Sequence, residues 1–106
     1  MYNNEIIING RGSTSNGEKI VDKFNLSEVV KVTLVKQSNT EGGPADVTFY
    51  FADGDMLTIK ESFGIGYNGT GPWGIFQILV KMGVCESEAE KLFSYHLSDP
   101  LEFRIK

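Results

Sequence analysis

Five of the chain's 12 glycines lie between Gly64 and Gly74, and they open with a motif that has chemistry attached. Gly64-Ile65-Gly66-Tyr67-Asn68-Gly69 matches G-x-G-x-x-G, follows a predicted strand and precedes a predicted helix. In a dinucleotide site such glycines let backbone N–H groups approach a pyrophosphate at a helix N-terminus. The surroundings argue against that use. The preceding strand belongs to an antiparallel hairpin rather than a βαβ unit, and Pro72 removes one of the amides. The acids about 20 residues further on open a helix instead of ending a strand. An anion nest at Gly64, Gly66, Gly69 and Gly71, taking a nucleotide or other small ligand, is therefore the secondary reading. The same stretch carries Tyr67, Asn68, Thr70 and Trp73, and Tyr and Trp beside glycine make a good protein-contact surface. Trp73 could equally be core, the commoner fate of tryptophan.

Gly12-Ser13-Thr14-Ser15-Asn16-Gly17 is a near miss for a phosphate-binding P-loop. Glu18 stands where that motif needs its lysine, Lys19 comes one place late, and a carboxylate there repels phosphate. This segment reads as a hairpin loop. Cys85 and His96 are the only residues of their kinds, too few for a zinc ligand set. A helix start after Cys85 would favour its thiolate, but Glu86, Glu88 and Glu90 would oppose it. The thiol therefore reads as a small buried apolar group. His96 reads as a charge or donor near a helix C-terminus. Asp53 and Asp55 flank Gly54, but neither they nor the three glutamates have calcium-loop spacing. Neither metal nor cofactor is expected.

The elements that must position these residues follow from periodicity. Glu5 to Asn9 is a β-branched run stopped by Gly10, hence a strand. Residues 18–24 are short and ambiguous, and a strand is favoured. Val29 to Gln37 alternates, with Val30, Val32 and Leu34 on one face. Ser38 to Pro44 must turn. Asp46–Ala52 and Asp55–Ser62 flank Asp53-Gly54, a type I′ hairpin signal, and Val47, Phe49, Phe51, Leu57 and Ile59 make one greasy face. Pro72 to Met82 is a mostly apolar helix, with Pro72 in its first turn and Gly83 just past its end. A second helix starts at Ser87, with Glu90 at capping-box spacing and acids favoured by the dipole. Asp99-Pro100 ends it, and Leu101 to Ile105 is a final strand. The expected fold is α+β: one domain, an antiparallel meander sheet of five to six strands covered by two C-terminal helices, closing on a C-terminal strand.

Length and charge bound the rest. A 106-residue chain makes one domain, and one Cys rules out a disulfide framework. With a polar N-terminus that lacks a signal pattern, this points to a reducing cytoplasm of bacterial or phage type. Net charge is −4, residues 1–36 contributing +1 and 37–106 contributing −5. No two Lys or Arg are adjacent, which disfavours nucleic acid and anionic lipid. An acidic second half suits a basic protein. The chain is thus expected to be a non-enzymatic interaction domain of inhibitor, immunity or accessory type. Tyr67, Asn68, Thr70 and Trp73 would make the contact, with Asp53, Asp55, Glu86, Glu88 and Glu90 as an acidic flank. Self-association is a third reading.

Overall fold

A computed structural model describes residues 4–37, 43–96 and 99–105. The elements in chain order are β1 (Glu5–Asn9), α1 (Thr14–Val21), a 3-10 turn (Leu26–Glu28), β2 (Val29–Lys36), β3 (Gly43–Phe51) and β4 (Met56–Ile65). There follow α2 (Thr70–Lys81), the single turn α3 (Glu86–Ala89), a 3-10 turn (Glu90–Phe93) and β5 (Leu101–Arg104). The class is α+β, with one five-stranded sheet in the order β1-β4-β3-β2-β5.

The meander forms as its periodicity dictates. β2, β3 and β4 are antiparallel neighbours, and Val32, Leu34, Val47, Phe49, Leu57 and Ile59 are fully buried on one face. Thr33, Thr48 and Thr58 stand in register on the other, and the Thr48 and Thr58 hydroxyls lie 2.9 Å apart. A β-bulge between Val29 and Lys31 alters one assignment. It turns Val29 into the core and leaves Val30 half-buried, since an extra residue reverses the alternation.

The sheet is mixed, not antiparallel. β1 lies at one edge, parallel to β4, because the chain returns through α1 before the meander starts. Residues 14–21 are a helix, where a loop and then a strand were expected. Ser13 caps it by accepting from the Asn16 N–H at 3.1 Å. The helix survives its central glycine because Gly17 lets it close on β4. A Cβ at Gly17 would stand 2.5 Å from Ser62 Cβ. Val21 is buried, and Ile20 and Phe24 pack on the same core.

The hairpin forms at Asp53-Gly54 with a different turn. The Gly54 N–H donates to the Phe51 carbonyl at 3.0 Å and the Phe51 N–H to the Asp55 carbonyl at 2.9 Å. Gly54 has φ +96°, whereas Asp53 is not among the positive-φ residues. That is a three-residue link with one left-handed position, not a two-residue type I′ turn. Of the expected turn at 38–44, residues 38–42 lie outside the described residues, and Gly43 and Pro44 already belong to β3.

α2 and α1 both pack against β4. Ile75, Ile78 and Leu79 are the buried stripe of α2. Gly83, at φ +107°, ends this helix: the Val84 N–H reaches the Leu79 carbonyl and the Gly83 N–H the Val80 carbonyl, both at 3.0 Å. These are the two bonds of a Schellman cap. The second helix is shorter than expected, one α turn and one 3-10 turn ending at Phe93, so His96 lies beyond it. Its N-cap is Cys85, which makes no side-chain capping bond, and the Ser87–Glu90 capping box is not used. Among the described residues no helix is long and apolar enough to cross a membrane.

Candidate functional site

Trp73 is fixed in place and yet exposed. It sits in the first turn of α2, where its N–H donates to the Gly69 carbonyl at 3.0 Å. Its indole Nε1–H donates to Asn68 Oδ1 at 2.7 Å. Its ring meets Phe76 edge-on at 5.1 Å between centroids and tilts against Phe93 at 4.9 Å, while Phe76 and Phe93 are 5.5 Å apart. These spacings lie within the range of favourable aromatic pairs. Even so, the side chain is 43% exposed. Trp73 is therefore a surface residue with its rotamer locked, rather than core.

The sequence explains this placement. Trp73 and Phe76 are three residues apart on α2, so they share a face. Phe93 is delivered by the 3-10 turn, which is tied to the glycine loop by the Gly66 N–H donating to the Leu92 carbonyl at 2.6 Å. Phe76 lies within the apolar helix that the sequence predicts over Pro72 to Met82, and Phe93 within the second predicted helix. The part of Phe76 in the surface was legible only as its spacing from Trp73, and that of Phe93 depends on the tertiary fold. Asn68 is a positioning residue here, because its carbonyl oxygen is engaged by the indole.

The acids divide. Glu90 opens the 3-10 turn that Phe93 closes, and side chains three apart eclipse on such a turn. Glu86 lies one turn before Glu90 on the same ridge, and both are exposed. Glu88 is turned to Lys91, at 3.3 Å. Asp53 and Asp55 are elsewhere. They sit at the start of β4, whose ten residues span roughly 30 Å at about 3.3 Å each, and the glycine loop follows its other end. Asp53 Oδ1 accepts from the Asp55 N–H at 2.9 Å, and Asp55 Oδ1 from the Asn4 N–H at 3.2 Å. By their spacing Glu86 and Glu90 lie along the ridge that leads to Phe93, whereas the two aspartates stand at the opposite end of β4 from the glycine loop.

The glycines of 64–71 are spent on Tyr67. A Cβ on Gly64, Gly69 or Gly71 would come within 2.8, 2.6 and 2.7 Å of atoms of the Tyr67 side chain. The space above this loop that a pyrophosphate would need is filled by the loop's own phenol, itself 40% exposed. Gly66, at φ +81°, makes the bend. Beside it, a cavity of about 200 Å³ is lined by Gly12, Thr14, Glu61, Tyr67 and Thr70 among others. It is smaller than the roughly 300–1,000 Å³ of small-molecule sites, and the Glu61 carboxylate is a poor wall for an anion. The Ser62 hydroxyl on this strand is buried without a hydrogen-bond partner, wedged against Gly10 and Gly17.

Cys85 is exposed, not buried. The Ser87 hydroxyl, 3.2 Å from its sulfur, and then the Ser87 and Glu88 amides hold the thiol below its ordinary value of 9.0. The negative charge of Glu88 works the other way and is outweighed, because hydrogen bonds aimed at the sulfur act more strongly than an exposed charge. Among the described residues, no three of His, Cys, Asp and Glu come together as a metal would need. Comparison with protein-family models, with curated proteins and with solved structures finds no match to this chain, so its function has to be read from its own geometry.

Proposed function

We propose that the chain is a non-enzymatic interaction domain of the inhibitor, immunity or accessory type, which seats a basic segment of a partner protein on the surface around Trp73. The observation that carries this reading is the exposed, immobilised indole. A large aromatic held in one rotamer by Asn68, Phe76 and Phe93 has little freedom left to lose on binding. Aromatic anchors of this kind dominate interface energetics. The Glu86–Glu90 ridge supplies the sign of the partner, since opposite charge at a rim steers association. Tyr67 and Thr70, both exposed, precede the anchor in the chain, Thr70 one helical turn before it. The anion-nest alternative has less support, because Tyr67 occupies the glycine cradle.

Trp73 is the only tryptophan, so its fluorescence reports the site directly. The experiment pans a displayed random-peptide library on the wild-type chain and on W73A. Enriched peptides rich in Arg or Lys, lost on W73A and shifting Trp73 emission when titrated, are the expected result. Enrichment without basic bias, or peptides that bind W73A equally, would overturn the reading. Binding should also weaken with salt and on E86Q/E90Q.

A further inference from the structure

The β1 edge of the sheet presents backbone groups that no described strand takes up. The Asn4 carbonyl accepts from the Met56 N–H at 2.9 Å, and the Gly10 N–H donates to the Lys60 carbonyl at 2.7 Å. With the parallel register Ile6↔Leu57 and Ile8↔Ile59, the even-numbered residues of β1 bond to β4. The backbone groups of Glu5, Ile7 and Asn9 therefore point outward, with no described strand beside them. Ile6 and Ile7, on opposite faces of this strand, are 44% and 56% exposed, and no charge interrupts the strand between Glu5 and Arg11. Edges in stable monomers are normally blunted by charge, proline or cover. Along β1 runs an open groove of about 720 Å³ lined by Ile7, Ile8, Asn9, Arg11 and Glu61.

We infer that the occupant of this edge is a second copy of the chain, paired antiparallel through β1 about a two-fold axis at Ile7. Parity permits it. Outward odd-numbered residues face outward odd-numbered residues, so Ile7 meets Ile7 of the second copy and Glu5 meets its Asn9. Charge selects it. Glu5 and Arg11 form no ion pair with any described residue. The antiparallel register sets Glu5 of each copy opposite Asn9 of the other, and Arg11, in the turn just past β1, lines the same groove, once at each end of the axis. The groove is apolar at Ile7 and Ile8, where Ile7 of the second copy fits, and it holds one cation, Arg11, besides the Glu61 carboxylate that already accepts from Asn9 Nδ2 at 2.7 Å. The result is an isologous interface, the commonest kind among homo-oligomers, and a sheet that continues from one copy into the next.

The test is sedimentation equilibrium of the full chain over a concentration series, with circular dichroism to monitor folding. Wild type is expected to show twice the mass of one chain, and I7K, which sets two like charges on the axis, the mass of one. A near-isosteric variant decides the case if I7K fails to fold. Paired residues of this type have Cα atoms about 5.5 Å apart, within disulfide reach. I7C in a C85S background should therefore cross-link on mild oxidation. V35C, at a 40% exposed position on the open sheet face away from the edge, should not. A wild-type chain that stays monomeric, an I7K variant that dimerises like wild type, or equal cross-linking of I7C and V35C would each overturn the inference.

Discussion

The two edges of this sheet solve one physical problem in opposite ways. β5 is four residues long, and the Ile105 N–H is bonded to the Val30 carbonyl at 3.0 Å. By alternation, the backbones of Glu102 and Arg104 face outward. Their side chains are charged, exposed and paired to each other at 3.0 Å. A strand docking there would have to desolvate both charges. On β1 the outward residues are Glu5, Ile7 and Asn9, with an exposed isoleucine at the centre. One edge sets two paired charges beside its outward backbone; the other sets an exposed isoleucine between Glu5 and Asn9, with less to oppose a docking strand. Edge character is thus set by the side chains of two or three alternate residues, not by strand pairing, which is complete on the inner side of both.

The largest way to break this contrast is to unseat the β1 side alone. G17V cannot hold α1 against Ser62 and Phe63 without displacing the helix. It should cost about 1–3 kcal/mol as an overpacking change, read as a lowered urea midpoint. Hydrogen exchange should accelerate more for the Ile6 and Ile8 amides than for Phe103. Equal acceleration would mean the edges are not energetically distinct. Next in size, E102T/R104I removes the charge that closes β5. With both edges open, pairing no longer ends at two copies, and light scattering should show larger assemblies. No growth would show that β5 is closed by something other than those two charges.

A smaller effect is expected from W73A. Losing its contacts to Phe76 and Phe93 should lower stability by about 1 kcal/mol, measured by denaturant unfolding, and leave self-association unchanged. A change in dimer mass would tie the aromatic surface to the β1 edge, contrary to the separation drawn between them. The smallest effect lies off the sheet. Ser87 is the leading cause of the lowered Cys85 thiol, so S87A should raise its pKa. Alkylation by iodoacetamide should then slow near neutral pH and its midpoint move upward, with both edges untouched.

Much of the meander was legible because strand alternation is a local code. Val47, Phe49, Leu57 and Ile59 face the core as their spacing requires, and Gly83 ends α2 as a C′ glycine should. The failures have separate causes. Residues 14–21 contain Ser, Asn and Gly, poor helix formers in isolation, and become a helix because the glycine is needed for contact with β4. Val30 lost its core position to a bulge. Trp73, by type the most core-like residue of its segment, is exposed because the buried stripe of α2 is set by Ile75, Ile78 and Leu79. Cys85 stands in solvent as the N-cap of α3, while its neighbour Val84 takes the buried position. At the candidate site, Tyr67, Thr70 and Trp73 could be named from residue type, whereas Asp53 and Asp55 could not be excluded without knowing that β4 separates them from the loop.

The sequence by itself determined which segments alternate, which face of the meander is apolar, where the main helix ends and that the second half is acidic. Each of these depends on residues within one or two turns of one another. Only the tertiary structure decided that β1 runs parallel to β4 at an open edge, that the glycine motif houses its own tyrosine, and that an indole pinned by Asn68 and two phenylalanines stands in solvent. Those outcomes depend on close approach between segments distant in sequence, and the energies of such contacts are written in no single stretch of chain.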